Sequence, residues 1–289
     1  MKKYLLSLTL SLLFIPIVLW GQNTSAKSLS SRLDTLIKYQ LPAGSNVGIS
    51  VYDLTTGKSL YTYQSDKLSR PASTMKLLTT ITALARPDAD EPFKTEVWYQ
   101  GVIERDTLKG DIYVVGGYDP EFDDEALDSL VNTVSRFPFS VIAGNVYGDV
   151  SMKDSIYWGS GWAWDDTPAS YQPYLSPLML NKGLVTVTAS PGEKGEMANI
   201  ECVPASSYYT VTNETQSRTP SAGRFGVSRD WLQNGNNVII KGNVESKRIG
   251  TVNIYSSQDF FMYTFLERLR AKGIPVSYTH LTLPTNSRV

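Results

Sequence analysis

A long strand-rich stretch separates two helix-bearing segments in this chain of 289 residues, and this order constrains the fold more than any other feature. Residues 27–92 read as a helix, a hairpin, a turn and a second helix. Residues 93–255 are dominated by short apolar runs punctuated by Gly and Asn, which predict strands. Residues 256–276 again carry a helical stripe, which ends at Gly273. The order predicts an α/β (α+β) fold interrupted by a β-rich inserted domain.

Apolar side chains three and four residues apart predict four helices along the chain. Their stripes consist of Leu29, Leu33, Leu36 and Ile37; Leu77, Leu78, Ile81 and Leu84; Leu127, Leu130, Val131 and Val134; and Phe261, Phe265, Leu266 and Leu269. The alternation of Val47, Ile49 and Val51, followed by a turn at Gly57, predicts a hairpin with one buried face.

The composition excludes some classes of function. Apolar residues make up 42% and charged residues 19% of the chain, which is typical of a globular protein. A net charge of −1 without any run of Lys or Arg gives no basis for binding nucleic acid. The single cysteine, Cys202, cannot form an intramolecular disulfide, and we expect it to act as a small buried apolar residue.

The N-terminus has the three-part pattern of a secretory signal peptide. Lys2 and Lys3 precede an apolar run from Tyr4 to Trp20, and small and polar residues follow. The alternative is a membrane anchor, but the run is at the short limit for a span of roughly 20 residues. We therefore predict an exported, periplasmic protein that meets the membrane only through residues 1–26.

The histidine count restricts the catalytic sites that this chain can build. His280 is the single histidine, so a Ser-His-Asp site would depend on it and a His-based zinc site is excluded. Any serine nucleophile then needs another base, and lysine is the available one. Ser73 and Lys76 lie three residues apart, so their Cβ atoms are about 5–6 Å apart on one helix face. The alternative makes Ser73 a helix cap and Lys76 a solvated residue.

Two further clusters allow a functional and a structural interpretation. The acidic residues Asp119, Glu121, Asp123 and Asp124 lack the pattern of a calcium loop, and we expect them to cap a helix. The indoles of Trp158, Trp162 and Trp164 suit a sugar-binding surface, but tryptophans in a β-rich domain more often fill the core. No metal site and no cofactor are predicted.

Several stretches of the sequence resemble, in the same order, the serine D-alanyl-D-alanine carboxypeptidases/endopeptidases among the low-molecular-mass penicillin-binding proteins. The subgroup is the one with a large insertion between its first two active-site motifs. The stretches are "VGISVYDLTTGKSLYTYQSDKLSRPASTMKLLTT", "LKGDIYVVGGYDP", "IAGNVYGDVS", "GWAWDD" and "YLSPLMLNKGLVTVTASPG". The resemblance covers the chain from about Val47 to about Ile274.

The resemblance implies a penicillin-recognising transpeptidase domain interrupted by the inserted β-rich region. It implies that Ser73 attacks the bond between two D-alanines of a peptidoglycan stem peptide, and that Lys76 takes the proton of Ser73. It further implies that β-lactams act as covalent inhibitors. Asp149 matches an aspartate that approaches the free amine of the third residue of the peptide.

Two motifs of this family, S-x-N and K-T-G, do not occur in the sequence. The last residues do not continue the family pattern, and we expect them to be non-native and the chain to be a C-terminally truncated fragment, itself inactive. The expected division is: signal peptide 1–26; N-terminal transpeptidase part 27–92; inserted domain 93–255; returning helix 256–276; and non-native tail 277–289. Rival functions are a β-lactamase-like hydrolase and a non-catalytic cell-wall-binding protein that uses Trp158 to Trp164.

Overall fold

The computed structural model describes residues 29–88 and 90–279, which divide into two compact units after Asp90. The predicted signal peptide and His280 lie outside the described residues. Within the described part of the chain, no helix is both long and apolar enough to cross a membrane.

The first unit contains the predicted hairpin between two helices. Residues 29–39 form helix α1. Strands β1 (Ile49–Asp53) and β2 (Lys58–Tyr63) pair antiparallel, and helix α2 (Met75–Leu84) follows. The turn closes because the Asp53 carboxylate accepts a hydrogen bond from the Thr55 N–H at 2.9 Å, while Gly57 adopts a φ of +65°.

A side-chain hydrogen bond ties the hairpin to α1. Tyr61 of β2 is buried, and its hydroxyl donates a hydrogen bond of 2.6 Å to the Asp34 carboxylate. This hydrogen bond, together with desolvation and the Asp34 charge, raises the pKa of Tyr61 to about 12. Tyr61 is the one buried large apolar residue among the described residues of the first unit.

The described residues of the second unit form three sheets and two α-helices. Its elements, in chain order, are β3 (Glu96–Glu104), β4 (Thr107–Val115), α3 (Asp124–Val134), β5 (Val141–Asp149), β6 (Leu184–Ser190), β7 (Asn199–Val203), β8 (Thr210–Ser217), β9 (Gly226–Arg229), β10 (Asn237–Val244), β11 (Arg248–Asn253), α4 (Ser257–Ala271) and β12 (Val276–Thr279).

The largest sheet has four strands in the order β12-β5-β4-β3. β3 and β4 are antiparallel, whereas β5 is parallel to both β4 and β12. Parallel neighbours need a crossover connection. Helix α3 lies in the connection from β4 to β5, and the connection from β5 to β12 contains β6 to β11 and α4. Those six strands form two three-stranded sheets, β11-β6-β7 and β8-β10-β9.

The helices of the second unit bury the predicted stripes. Leu127, Val131 and Val134 of α3 are fully buried in one core with Ile112 of β4 and Val146 of β5. Phe261, Phe265, Leu266 and Leu269 of α4 are buried in the same core. The prediction of both stripes is confirmed. Gly273, with a φ of +79°, ends helix α4.

Helix α4 is also fixed to α3 by charge. Arg268 donates hydrogen bonds to the carboxylates of Asp124 and Asp128, the latter at 2.8 Å. Helix α4 thus belongs to the core of the second unit. The domain bounds predicted from the sequence remain predictions. Cys202 of β7 is partly buried against this core, and burial raises the pKa of its thiol.

Candidate active site and substrate-binding residues

Ser73 lies in a tight turn that leads directly into α2. A 3₁₀ turn covers Ala72–Thr74, and the Thr74 N–H donates to the Pro71 carbonyl at 2.9 Å. Ala72 has a φ of +44°, a left-handed conformation that disfavours residues with a Cβ by roughly 1–2 kcal/mol. The turn therefore holds Ser73 at the start of a helix in a strained backbone.

Lys76 belongs to the first turn of α2, so the helical segment carries both residues of the motif. The side chains of Ser73 and Lys76 are both exposed. Among the described residues of the first unit, these two form no hydrogen bond with each other. A lysine becomes a base when burial or a nearby cation lowers its pKa. Neither the hairpin nor α1 buries Lys76.

Helix α2 is apolar but has no buried residue. Met75, Leu77, Leu78, Ile81 and Leu84 are between 48% and 73% exposed. A helix with this much apolar surface is typical of the interior of a domain. Residues 29–88 alone therefore do not supply the packing that such a helix requires.

Asp149 ends β5 in the second unit, whereas Ser73 and Lys76 belong to the first. One oxygen of its carboxylate accepts a hydrogen bond from the Ser151 N–H at 2.8 Å. Its backbone carbonyl accepts from the Gly116 N–H at 2.9 Å, which fixes the end of the strand. Within residues 29–88 and 90–279, Asp149 forms no ion pair. Its charge is thus available to a cationic ligand.

The acidic cluster acts as a helix cap, as predicted. Asp123 is the N-cap of α3, and its carboxylate accepts a hydrogen bond from the Ala126 N–H at 2.9 Å. Asp124 lies in the first turn, where the helix dipole favours negative charge. Asp119 caps its own turn by accepting from the Glu121 N–H.

The tryptophans of residues 158–164 do not fill a core together. Trp158 is partly buried against Tyr174, with 5.0 Å between the ring centroids. Trp162 is 40% exposed, and Trp164 is 65% exposed and packs against Trp231 at 5.0 Å. The expectation of core packing is therefore wrong for Trp162 and Trp164, because the loop places their rings at the surface.

Comparison with known proteins identifies relatives of one kind. A family model described as the D-Ala-D-Ala carboxypeptidase 3 (S13) family matches residues 29–287. A D-alanyl-D-alanine carboxypeptidase of Actinomadura sp. (strain R39) is 29% identical over 191 residues, which are 64% of this chain and 36% of that protein. The D-alanyl-D-alanine carboxypeptidase DacB of Haemophilus influenzae is 29% identical over 127 residues, 44% of this chain and 26% of that protein.

Solved structures show the same likeness at the level of the fold. Penicillin binding protein 4 (dacB) of Haemophilus influenzae superposes with a TM-score of 0.68 at 21% identity, over 86% of this chain and 56% of that one. Its complex with a β-lactam gives a TM-score of 0.61 at 19% identity, over 86% and 54%. The predicted fold class is confirmed. The alignments cover about a third or less of each curated relative and about half of each solved chain.

Proposed function

This chain belongs to the D-Ala-D-Ala carboxypeptidase 3 (S13) family, and from that premise we propose that the intact protein is a serine-type D-Ala-D-Ala carboxypeptidase/endopeptidase acting on peptidoglycan stem peptides. The family predicted from the sequence is thereby confirmed. The observation that carries the proposed activity is that the match includes the strained turn and helix with Ser73 and Lys76.

In the proposed reaction, the Ser73 Oγ attacks the carbonyl carbon between two D-alanines while Lys76 takes its proton. The C–N bond breaks, the proton passes to the leaving amine, and an acyl-enzyme ester remains on Ser73. Water then hydrolyses the ester. The backbone N–H of Ser73 is a donor for the negative charge that develops on the carbonyl oxygen.

Asp149 is proposed to bind the free amine of the third residue of the stem peptide. Support comes from its position at a strand end, from its partial exposure, and from the lack of an ion pair with any described residue. A carboxylate that is already oriented by the Ser151 N–H forms a strong charge-assisted hydrogen bond with an ammonium group.

Because one relative was solved in complex with a β-lactam, we propose β-lactams as covalent inhibitors of this protein, through an ester on Ser73. The proposed setting is the periplasm, after export through the signal sequence of residues 1–26. Peptidoglycan peptides are the proposed partner.

Labelled penicillin tests the proposal on protein expressed from its whole gene. We expect a covalent adduct that Ser73→Ala abolishes and Lys76→Ala slows at least a hundredfold, since a general base typically contributes about 10²–10⁴-fold. Ser65→Ala and Lys67→Ala change exposed residues of the same unit and should label normally. Labelling that survives Ser73→Ala would refute the assignment of the nucleophile, and rapid release of hydrolysed drug would favour the β-lactamase-like alternative.

A further inference from the structure

One face of the four-stranded sheet carries three aromatic side chains in a row. Trp98 of β3 is the register partner of Tyr113 of β4, and Tyr113 is the register partner of Tyr147 of β5. Register partners point to the same face of a sheet. The opposite face is occupied by the buried Ile112 and Val146. Trp98, Tyr113 and Tyr147, here called the aromatic row, therefore cross three adjacent strands on the side away from the core.

The aromatic row is partly open to solvent. Tyr113 and Tyr147 stack with 5.3 Å between their centroids and 20° between their planes, and the Trp98 side chain is 59% exposed. A cross-strand aromatic pair stabilises a sheet. Such pairing explains why the two tyrosines stack, but it does not explain why the Trp98 indole is exposed to solvent. With strands about 4.8 Å apart, the row spans roughly 10 Å, comparable with two linked sugar rings.

Polar groups surround the edges of these rings. The Trp98 Nε1–H donates to a Glu96 carboxylate oxygen at 3.1 Å. The Asn145 side-chain amide donates to the Tyr147 hydroxyl at 2.9 Å, which leaves the hydroxyl proton of Tyr147 free for a ligand. The exposed Trp98 indole, with hydroxyl, amide and carboxylate groups along the same row, matches a pyranose ring, which has C–H groups on its faces and hydroxyls around its rim.

The charges on this face select against anionic polymers. Glu96, Asp111 and Asp149 lie on it, and the Lys109 amine pairs with the Glu104 carboxylate. Nucleic acids and phosphate polymers are repelled by such a surface, whereas neutral sugars donate hydroxyl hydrogen bonds to carboxylates. The surface is also continuous with Asp149, which follows Tyr147 by two residues on the same strand and the same face.

We propose that the aromatic row binds sugar rings of the peptidoglycan glycan strand, next to the peptide amine bound by Asp149. The proposal rests on the proposed function for the identity of the polymer. It assigns to the β-rich unit a role in holding the glycan, separate from the chemistry at Ser73.

Isothermal titration with chitotetraose, a β-1,4-linked tetramer of N-acetylglucosamine, tests the proposal on protein expressed from its whole gene. We expect measurable binding that Trp98→Ala weakens about tenfold, since aromatic contacts contribute up to about 1.5 kcal/mol beyond their buried area. Trp98→Phe keeps a ring and should retain most of the affinity. Trp98→Gln provides a second variant without a ring if Trp98→Ala proves unstable.

Trp164→Ala is the matched control, because Trp164 is similarly exposed on a different part of the unit. Unchanged binding in that variant, together with loss in Trp98→Ala, supports the aromatic row. No binding by the wild-type chain, equal binding by Trp98→Ala, or loss only in Trp164→Ala overturns it. Ser73→Ala should bind chitotetraose normally, and Trp98→Ala should still react with penicillin. A failure of the glycan proposal is thereby separated from a failure of the proposed enzyme activity.

Discussion

Arg229 is one of the largest fully buried side chains among the described residues, and its removal should destabilise the second unit strongly. It is 2% exposed and forms no ion pair with any residue in the described ranges. Its guanidinium donates to the Asn253 side chain at 3.1 Å, the Gly235 carbonyl at 2.9 Å and the Tyr174 hydroxyl at 3.2 Å. Asn253 in turn donates to the carbonyl of Gln172 at 2.7 Å. The network joins β9, β11 and the loop before β6.

The magnitude follows from what Arg229→Ala leaves behind. Three acceptors lose a charged donor, and each buried acceptor left unpaired costs about 1–3 kcal/mol. The empty volume adds to this, because large-to-small core substitutions typically cost about 2–5 kcal/mol. The variant no longer carries the cost of removing a guanidinium from water, and this offsets several kcal/mol of the loss. We expect a net loss of about 3–5 kcal/mol in the free energy of unfolding. Arg229→Met fills the volume without donating, so it should lose about 2 kcal/mol.

Urea denaturation followed by tryptophan fluorescence measures the free energy of unfolding of the second unit. All tryptophans except Trp20 lie in the second unit, and Trp158 packs on Tyr174 of the network. Arg224→Ala changes an exposed arginine of the same unit and is the matched control, with an expected change below about 0.5 kcal/mol. If Arg229→Ala and Arg229→Met both unfold at the wild-type urea concentration, the network does not stabilise the fold.

Three further predictions concern single contacts. The pKa of Tyr61 is raised from 10.0 to about 12, so the stability from its hydrogen bond to Asp34 is complete below a pH of 10.0 and is lost as the pH rises through about 12. In an NMR titration of labelled tyrosine, Asp34→Ala should return the midpoint towards 10.0, and an unmoved midpoint contradicts the assignment. Gly110→Ala places a Cβ 2.0 Å from the Gln100 carbonyl oxygen and should lower stability by more than about 3 kcal/mol in urea denaturation, whereas Gly226→Ala meets open space and should not. Asp123→Ala removes the cap of α3 and should cost about 1 kcal/mol by the same assay, with Asp123→Ser restoring most of it; equal losses in both variants would argue against capping.

The elements predicted best from the sequence are those whose apolar pattern is satisfied by nearby packing. The stripes of α3 and α4 are buried where the 3.6-residue period places them, as Val131 and Phe265 illustrate. Helix α2 forms where its stripe predicts it, but Leu78 and Ile81 stay exposed in the described structure. The period of a stripe identifies the helix, but it does not identify the surface against which the helix packs.

Long-range pairing and unusual burial cannot be predicted from the sequence. The parallel alignment of β4 with β5 depends on a crossover through α3, and local alternation is the same for parallel and antiparallel strands. Arginine is rarely buried, so nothing in the pattern around Arg229 indicates that it is enclosed. The sequence directs a sugar-binding hypothesis to Trp158 to Trp164, because Trp98, Tyr113 and Tyr147 are too far apart along the chain to be recognised as a row.

The register between β4 and β5 links these observations. Asp149 and Tyr147 share a face because they are two residues apart, and a shift of one residue would turn both side chains towards the core. Close glycine contacts oppose such a shift, since a Cβ at Gly144 would lie 2.2 Å from the Gly110 carbonyl oxygen. The Asp111 carboxylate also accepts a hydrogen bond from the Asn145 N–H at 2.7 Å, where the regular ladder is interrupted. The residues that fix the register thus place both proposed binding groups on one exposed face.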